Sequence, residues 1–192
     1  MKIILATKNK GKVKEVEKIL NTVDIELLSL LDLKNVPAII EDGSTFGENA
    51  KIKAKIIYDK FHVPTIGEDS GISVEQLNGA PGIHSARYSG ENSTDLKNNL
   101  KLIDKLKNFP SPHKAKYTCA AVYFDGKEFK STSGEMKGEV IEEMRGTNGF
   151  GYDPLFIADG YSLTNGQLDP DEKNKISHRY KAFKELKKLL FN

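Results

Sequence analysis

Apolar positions recur with two different periods along the chain, and the change of period marks its predicted elements. Apolar residues at every third or fourth position are typical of helices, whereas short apolar runs and alternating segments are typical of strands. Helices are expected after Gly11, from Phe46 to Phe61 behind a Thr45 cap, from Leu96 to Leu106, and from about His178 to Phe191. Strands are expected at Ile3–Ala6, Asp24–Leu28, Ile72–Val74, Ala115–Asp125, Glu128–Val140 and Leu155–Ile157, with another after Pro64 that ends in the acidic cluster Gly67–Gly71.

The order of these elements predicts the fold class. Asp125-Gly126 between two alternating segments is the strongest hairpin signal in the chain. Strand–helix units occur as well, so we expect the α/β class, with a mixed sheet flanked by helices. Asn78–Gly90 is predicted to be an ordered loop with one helical turn, and the helix from Leu96 is expected to bury Leu96, Leu100, Ile103 and Leu106. With 192 residues and no internal repeat or long linker, one domain over residues 1–192 is expected.

Composition narrows the class of protein. Hydrophobic residues make up 38% and charged residues 29%, as in ordinary globular proteins. The formal net charge of +2 gives no case for a nucleic-acid partner. The single cysteine, Cys119, cannot form an internal disulfide and is expected to be a buried, inert thiol. No segment has the length of a membrane span or the core of a signal peptide, so the expected location is the cytoplasm, without a membrane partner.

The first candidate for chemistry is the loop Thr7-Lys8-Asn9-Lys10-Gly11-Lys12, between a predicted strand and a predicted helix. Amide groups at a helix N-terminus together with lysine ammoniums suit a phosphate chain. The loop lacks the glycine and hydroxyl positions of a Walker A motif. A solvated strand-to-helix turn is the alternative interpretation.

Adjacent carboxylates in Glu68-Asp69 form the second candidate. In a strand, neighbouring side chains point to opposite faces, so at most one faces a given site. Mg²⁺ prefers carboxylate oxygens and needs only one or two of them when phosphates complete its shell. An aspartate beside such a metal can serve as general base. An acidic turn without chemistry is the alternative.

The third candidate is Glu41-Asp42-Gly43 with the helix that follows it. Asn49 and Lys53 are four residues apart, so they share a helix face and can converge on one ligand. The alternative is a charged, exposed helix flank.

Two further candidates lie in the second half of the chain. The glycine loop, Gly146–Asp153, lets the backbone approach a ligand closely, and its Phe150 and Tyr152 offer surfaces on which a base can stack. Lys173 precedes Ser177-His178-Arg179, which places His178 and Arg179 in the first turn of the last helix. Arg179 there opposes the helix dipole, a cost that a bound anion can offset. A simple turn and a structural histidine are the alternatives.

Taken in order, these segments resemble the inosine/xanthosine triphosphate pyrophosphatase family. The matching pieces are ILATKNKGKVKE, EDGSTFGENAKIKA, EDSGISVEQLNGAPGIHSARYSG, RGTNGFGYDPLF and EKNKISHR. The resemblance implies an elongated mixed sheet in two lobes around a central cleft, and a homodimer. It also implies hydrolysis of the non-canonical purine nucleotides ITP, dITP and XTP to the monophosphate and pyrophosphate.

The resemblance also implies roles for individual residues. Asp69 would be the general base and a Mg²⁺ ligand, with Lys53 acting against the phosphates. Thr7, Lys8, Asn9, Lys10, Gly11 and Lys12 would hold the triphosphate, and Ser70 would touch substrate. Phe150, Gly151, Tyr152 and Asp153 would hold base and sugar, and Lys173, His178 and Arg179 would complete recognition. Glu41 is the candidate for a second Mg²⁺ ligand, although Ile40 stands where many members have another acid and the register can differ by one residue.

Three other functions fit the sequence less well. The GFGYDP and ISHR segments argue against a Maf-like pyrophosphatase of pyrimidine or modified nucleotides. A nucleotide sensor without catalysis does not need the acidic, metal-compatible setting of Asp69. An RNA-binding domain is disfavoured by the near-neutral charge.

Overall fold

The computed structural model describes residues 1–21 and 25–191, which form six strands and five α-helices. The strands are β1 (Lys2–Leu5), β2 (Glu26–Ser29), β3 (Thr65–Val74), β4 (His113–Phe124), β5 (Phe129–Val140) and β6 (Phe156–Ala158). The helices are α1 (Lys10–Leu20), α2 (Phe46–Phe61), α3 (Asp95–Leu106), α4 (Pro170–Ile176) and α5 (His178–Phe191). Short 3₁₀ segments lie at Glu75–Leu77, Gly82–Arg87 and Asp153–Leu155.

The six strands form one sheet in the order β2-β1-β3-β4-β5-β6. β1 runs parallel to both β2 and β3, whereas β6 runs antiparallel to β5. The sheet is therefore mixed and flanked by helices, and the predicted α/β class is confirmed.

The chain divides into two compact units. The first contains Met1–Asp69, Cys119–Gly134 and His178–Asn192, and the second contains Ser70–Thr118 and Glu135–Ser177. A single domain over residues 1–192 stays a prediction.

Each unit has its own apolar core. In the first unit, β1 and the start of β3 pack against α1 and α5, with Ile3, Leu5, Ile66 and Phe183 fully buried. In the second unit, the end of β3 packs with α3 and with the residues around β6. Burial of this kind contributes about 25 cal/mol per Å² of apolar surface, so the two cores hold the backbone that carries the polar side chains described below.

Local signals predicted the hairpin and most helix starts well. Thr45 accepts a hydrogen bond from Glu48 N at 3.1 Å and caps α2, as expected. Asp125 accepts from Lys127 N and Glu128 N and thereby closes the hairpin between β4 and β5. The loop Asn78–Gly90 contains its one expected helical turn, at Gly82–Arg87. α5 buries Ala182, Phe183 and Leu186 as expected but leaves Leu189 exposed.

The prediction that one strand ends at the acidic cluster Gly67–Gly71 and another begins at Ile72 is wrong, because these residues lie inside one continuous strand, β3. Glu68 and Asp69 are almost fully buried there, at 1% and 6% exposure, and both are paired with cations. Gly67 has no side chain because α2 passes against it: a Cβ atom would lie 1.9 Å from Ala50 O. The glycine therefore allows close packing of a helix on the strand rather than a turn.

The predicted apolar face of α3 is also wrong in part. Leu96 and Leu100 are exposed, whereas Asn98 and Asn99 are buried beside Leu102 and Leu106. The asparagines face inward because loop backbone groups need partners: Asn98 accepts from Ser89 N at 2.8 Å and donates to Ala86 O at 3.2 Å.

Two more differences concern short elements. α4 was not predicted from the sequence, although Asp169 caps it by accepting from Asp171 N and Glu172 N, and Pro170 occupies its first position. The predicted strand Asp24–Leu28 corresponds to β2, but Asp24 lies outside the described residues.

Candidate active site

The loop from Thr7 to Lys12 leads from β1 into α1, as predicted. Thr7 Oγ1 accepts from Asn9 N at 3.1 Å, and Asn9 Oδ1 accepts from Lys12 N at 3.0 Å as the N-cap of α1. Lys8, Asn9 and Lys10 are exposed. The start of a helix of this length, with lysines around it, suits an anion because its first amides point out of the helix.

Six of the charged residues in the first unit form the carboxylate cluster: Lys12, Glu41, Lys53, Glu68, Asp69 and Arg179. Glu68 is its hub, with one oxygen 2.8 Å from Lys12 Nζ and the other 3.0 Å from Arg179 Nη2. Arg179, which is 1% exposed, also pairs with Glu15. Burial alone would raise the pKa of Glu68, but Lys12 and Arg179 hold it well below its ordinary value.

Asp69 lies beside this hub with its side chain among different partners. Asn49 Nδ2 donates to one carboxylate oxygen at 3.1 Å, and Lys53 Nζ lies 3.3 Å from the other. Asn49 and Lys53 therefore converge as their helical spacing predicted, but they converge on Asp69. Burial raises the pKa of Asp69, and Lys53 opposes that rise. The result is a carboxylate in a dry setting that still has an adjacent positive charge, which suits a proton acceptor.

Glu41 and Asp69 are brought together by Lys53. Its Nζ lies 2.7 Å from Glu41 Oε2 and 3.3 Å from Asp69 Oδ1, so the two oxygens cannot be further apart than the sum of those distances. Burial disfavours the charge on Lys53, yet Asp69 and Glu41 raise its pKa overall. The pair offers two hard oxygen donors next to the Lys53 ammonium. Among the described residues, no three or more His, Cys, Asp or Glu side chains group into a metal site.

Hydrogen bonds to Asp153 organise the glycine loop in the second unit. Asp153 is 3% exposed, and its carboxylate accepts from Phe150 N at 3.0 Å, Asn165 Nδ2 at 3.2 Å and Lys173 Nζ at 2.9 Å. A Cβ atom on Gly149, whose φ is +76°, would lie 2.0 Å from the same carboxylate. Asp153 was predicted to contact base or sugar, but its oxygens hold the loop itself together.

Phe150 and Tyr152 stand on opposite sides of Gly151 and differ in exposure. Phe150 is half-buried, and Lys173 Nζ lies 5.1 Å from the centre of its ring. Tyr152 is buried and donates from its hydroxyl to Ser85 O at 2.8 Å. Burial raises the pKa of that hydroxyl. Phe150 is therefore the aromatic side chain of this loop that can offer a face to a ligand.

The remaining predicted residues are placed as follows. Ser70 is half-buried in β3. His178 begins α5 and is 4% exposed. Arg179, predicted to contact substrate, contacts the two glutamates of the buried network. Cys119 is buried with its pKa raised well above the ordinary value by burial, in agreement with an inert thiol.

Sequence reasoning missed three residues that shape these groups. Glu15 looked like a surface acid of a helix, and its partner Arg179 is more than a hundred residues away. Asp95 precedes the predicted start of a helix and Asn99 lies outside its predicted apolar face, yet both bond to Gly151. The one available signal was the pair of adjacent asparagines, Asn98-Asn99, inside an apolar helical pattern.

Comparison with known proteins finds relatives along nearly the whole chain. The model of the Ham1 family matches residues 3–189. A protein of Oceanobacillus iheyensis named dITP/XTP pyrophosphatase is 43% identical in an alignment of 192 positions that covers 98% of each chain. One of the same name from Bacillus licheniformis is 45% identical over 190 residues, covering 98% of this chain and 97% of the relative.

A solved structure shares the fold as well. The HAM1 protein of Coxiella burnetii superposes with a TM-score of 0.90 at 36% identity, over 99% of this chain and 98% of the other. The mixed sheet and its helices are thus those of an experimentally determined relative.

Proposed function

Because this chain belongs to the Ham1 family, we propose that it hydrolyses the non-canonical purine nucleotides ITP, dITP and XTP to the monophosphate and pyrophosphate, and so removes them from the nucleotide pool. The observation that carries the proposal is Asp69, a buried carboxylate held by Lys53 and Asn49 close to the lysine-rich start of α1. That setting combines a proton acceptor with cations that suit phosphates.

The proposed reaction assigns the chemistry to the carboxylate cluster. Asp69 takes a proton from the water that cleaves the anhydride between the α- and β-phosphates, and pyrophosphate leaves with the bond's electron pair. The loop from Thr7 to Lys12 binds phosphate oxygens through backbone amides and ammoniums. Burial raises the pKa of Asp69, and Lys53 opposes that rise and so favours the ionised form that a general base requires.

We propose Mg²⁺ as the cofactor, with Glu41 and Asp69 as its protein ligands. One oxygen of each carboxylate lies within 3.3 Å of Lys53 Nζ, so both already contact the same positive charge. Two carboxylates are enough for Mg²⁺ when phosphates complete its shell. When bound, the metal would polarise the phosphates and neutralise their charge.

The glycine loop is proposed to bind the base. Phe150 offers a half-buried aromatic face with the positive charge of Lys173 nearby. ITP and XTP carry a 6-oxo group where ATP has an amino group, and a site built with a donor for that oxygen disfavours ATP. GTP shares the 6-oxo group, so its 2-amino group must be disfavoured separately.

The homodimer and the cytoplasmic location also remain proposals, and both rest on the family resemblance. Among the described residues, no helix is both long and apolar enough to span a membrane. Sedimentation of the purified protein at several concentrations tests the dimer: a species of twice the 21.4 kDa chain mass is expected.

Side-by-side hydrolysis of ITP, XTP, dITP, GTP and ATP, with and without Mg²⁺, tests the activity. Pyrophosphate should be released from the first three, and only with the metal. Asp69→Asn should lower kcat by about 10²- to 10⁴-fold, the range for loss of a general base. Asp59→Asn, on the exposed side of α2, is the matched control and should be as active as the unchanged protein.

Three results would contradict the proposal in different ways. Equal cleavage of GTP and ATP would exclude the pool-cleaning role while leaving the chemistry. A preference for pyrimidine nucleotides would favour a Maf-like activity. Tight ITP binding without any turnover would identify a sensor.

A further inference from the structure

The exposed start of α3 holds the glycine loop through one residue, Gly151. Gly151 N donates to Asp95 Oδ2 at 2.7 Å, and Gly151 O accepts from Asn99 Nδ2 at 3.0 Å. Asp95 and Asn99 are four residues apart, so they lie on one face of the helix, one turn from each other. Both backbone groups of Gly151 are thus bound by neighbouring side chains of one rigid element.

The helix that carries these two side chains is itself fixed. Thr94 caps it by accepting from Lys97 N at 3.2 Å. Asn98 bonds to the backbone of Ser89 and Ala86, and Leu102 is fully buried in the core of the second unit. Asn99 is 2% exposed, so water has little access to replace Gly151 O as the partner of its side-chain amide. α3 therefore acts as a fixed support for the loop.

The bonds to Gly151 act directly on Phe150. The nitrogen of Gly151 belongs to the peptide that begins at Phe150, and Phe150 N is held separately by Asp153 at 3.0 Å. The amide at each side of Phe150 therefore donates to a carboxylate. Two such charge-assisted bonds leave the Phe150 backbone little freedom. A fixed backbone in turn restricts the rotamers that the Phe150 ring can adopt.

We infer that Asp95 and Asn99 are positioning residues that set the Phe150 face for the purine base. The inference rests on the proposed function, because it takes Phe150 as the surface on which the base stacks. Asp95 and Asn99 bond to Gly151, so their effect on the substrate would pass through Gly151 and Phe150. The proposed function assigns the phosphates to the loop from Thr7 to Lys12, which makes the two effects separable.

The test compares Asp95→Ala with Asp95→Asn. Alanine removes the acceptor, whereas asparagine keeps an oxygen that can accept from Gly151 N. We expect Asp95→Ala to raise the KM for ITP about tenfold, as for loss of one charge-assisted hydrogen bond, and Asp95→Asn to stay within about threefold. The inhibition constant of inorganic tripolyphosphate, which has no base, should not change in either variant. Asp104→Ala, an exposed acid on the same helix, is the matched control and should behave as the unchanged protein.

A second measurement needs no substrate. Exchange of the Gly151 amide proton, followed by ¹⁵N NMR in the free protein, should be slow in the unchanged protein, fast in Asp95→Ala and intermediate in Asp95→Asn. A helix-dipole role for Asp95 alone would make alanine and asparagine equivalent in both measurements, which would overturn the inference.

The remaining outcomes are also decisive. If the KM for ITP and the inhibition constant of tripolyphosphate rise together in Asp95→Ala, the effect is general damage and the inference fails. If Asp95→Ala leaves both ITP kinetics and Gly151 exchange unchanged, it fails as well. Absence of ITP turnover in the unchanged protein would instead contradict the proposed function, and the exchange data would then separately decide whether Asp95 holds the loop.

Discussion

The carboxylate cluster and the glycine loop are held in place by different interactions. In the cluster, one buried carboxylate, Glu68, serves two cations, and Arg179 in turn serves two carboxylates. In the loop, most of the bonds described above run to backbone groups, and Asp153 and Lys173 form a buried ion pair. Loss of one charge from the cluster leaves several partners unbalanced, whereas the charges of Asp153 and Lys173 can be removed together. Charge should dominate stability in the first region and hydrogen-bond geometry in the second.

Glu68→Gln should have the largest effect on stability. It leaves the buried Arg179 and the half-buried Lys12 with less compensating charge, and removal of one partner from a buried pair costs about 3–5 kcal/mol. Urea unfolding measures the loss. Glu139→Gln is the matched control, because its partner Lys114 is exposed and such pairs contribute about 0–1 kcal/mol. Equal losses in the two variants would show that charge is not what holds the cluster.

Low pH should remove most of the difference in stability between the unchanged protein and Glu68→Gln. The folded-state pKa of Glu68 lies well below the ordinary value of 4.5 for a glutamate, because Lys12 and Arg179 outweigh the burial that would raise it. A lowered folded pKa gives stability that is present above the unfolded pKa and is lost as the pH falls through the folded one. The gap in unfolding free energy between the unchanged protein and Glu68→Gln should therefore be full at pH 7 and should narrow below pH 4.5. Unfolding in chelator-containing buffers across that range measures it; a gap that widens in acid would contradict the assignment.

Lys173→Met should have a smaller effect than Glu68→Gln. Asp153 loses its cation but keeps the hydrogen bonds from Phe150 N and Asn165 Nδ2, so a loss of about 1.5–3 kcal/mol is expected. The double variant Asp153→Asn with Lys173→Met removes both charges, and paired neutral replacements are often tolerated. Thermal unfolding should place the double variant nearer the unchanged protein than Lys173→Met. The reverse order would mean that the loop depends on charge as the cluster does.

The difference between local and long-range bonds explains which features could be predicted from the sequence. The Thr45 cap and the Asp125-Gly126 hairpin depend on bonds within three residues, so their signals are local and the elements were found. Asn49 and Lys53 were correctly placed on one face, because helical spacing is also local.

Long-range pairing was beyond that reasoning. Glu68 and Arg179 are 111 residues apart, and nothing near either residue shows that each neutralises the other. Adjacent charges are normally solvated and so indicate the end of a strand, and only the distant cations make a buried strand favourable at Glu68 and Asp69. The orientation of α3 was missed for a similar reason: leucines ordinarily face the core, but the need of loop peptides for hydrogen-bond partners turned the asparagines inward instead.

The orientation of α3 leads to the prediction with the smallest expected effect on stability. Leu100 is 51% exposed although it lies between two buried positions of α3, Asn99 and Leu102. Leu100→Gln should change the free energy of unfolding by no more than about 0.5 kcal/mol, as for an exposed helix position. Leu102→Ala, two residues further on the same helix, should cost about 2–5 kcal/mol because it empties a fully buried site. Measured together by urea unfolding, the two leucines report which face of α3 is buried. A large loss in Leu100→Gln with a small one in Leu102→Ala would mean that the helix is rotated, and Asp95 and Asn99 would then point away from Gly151.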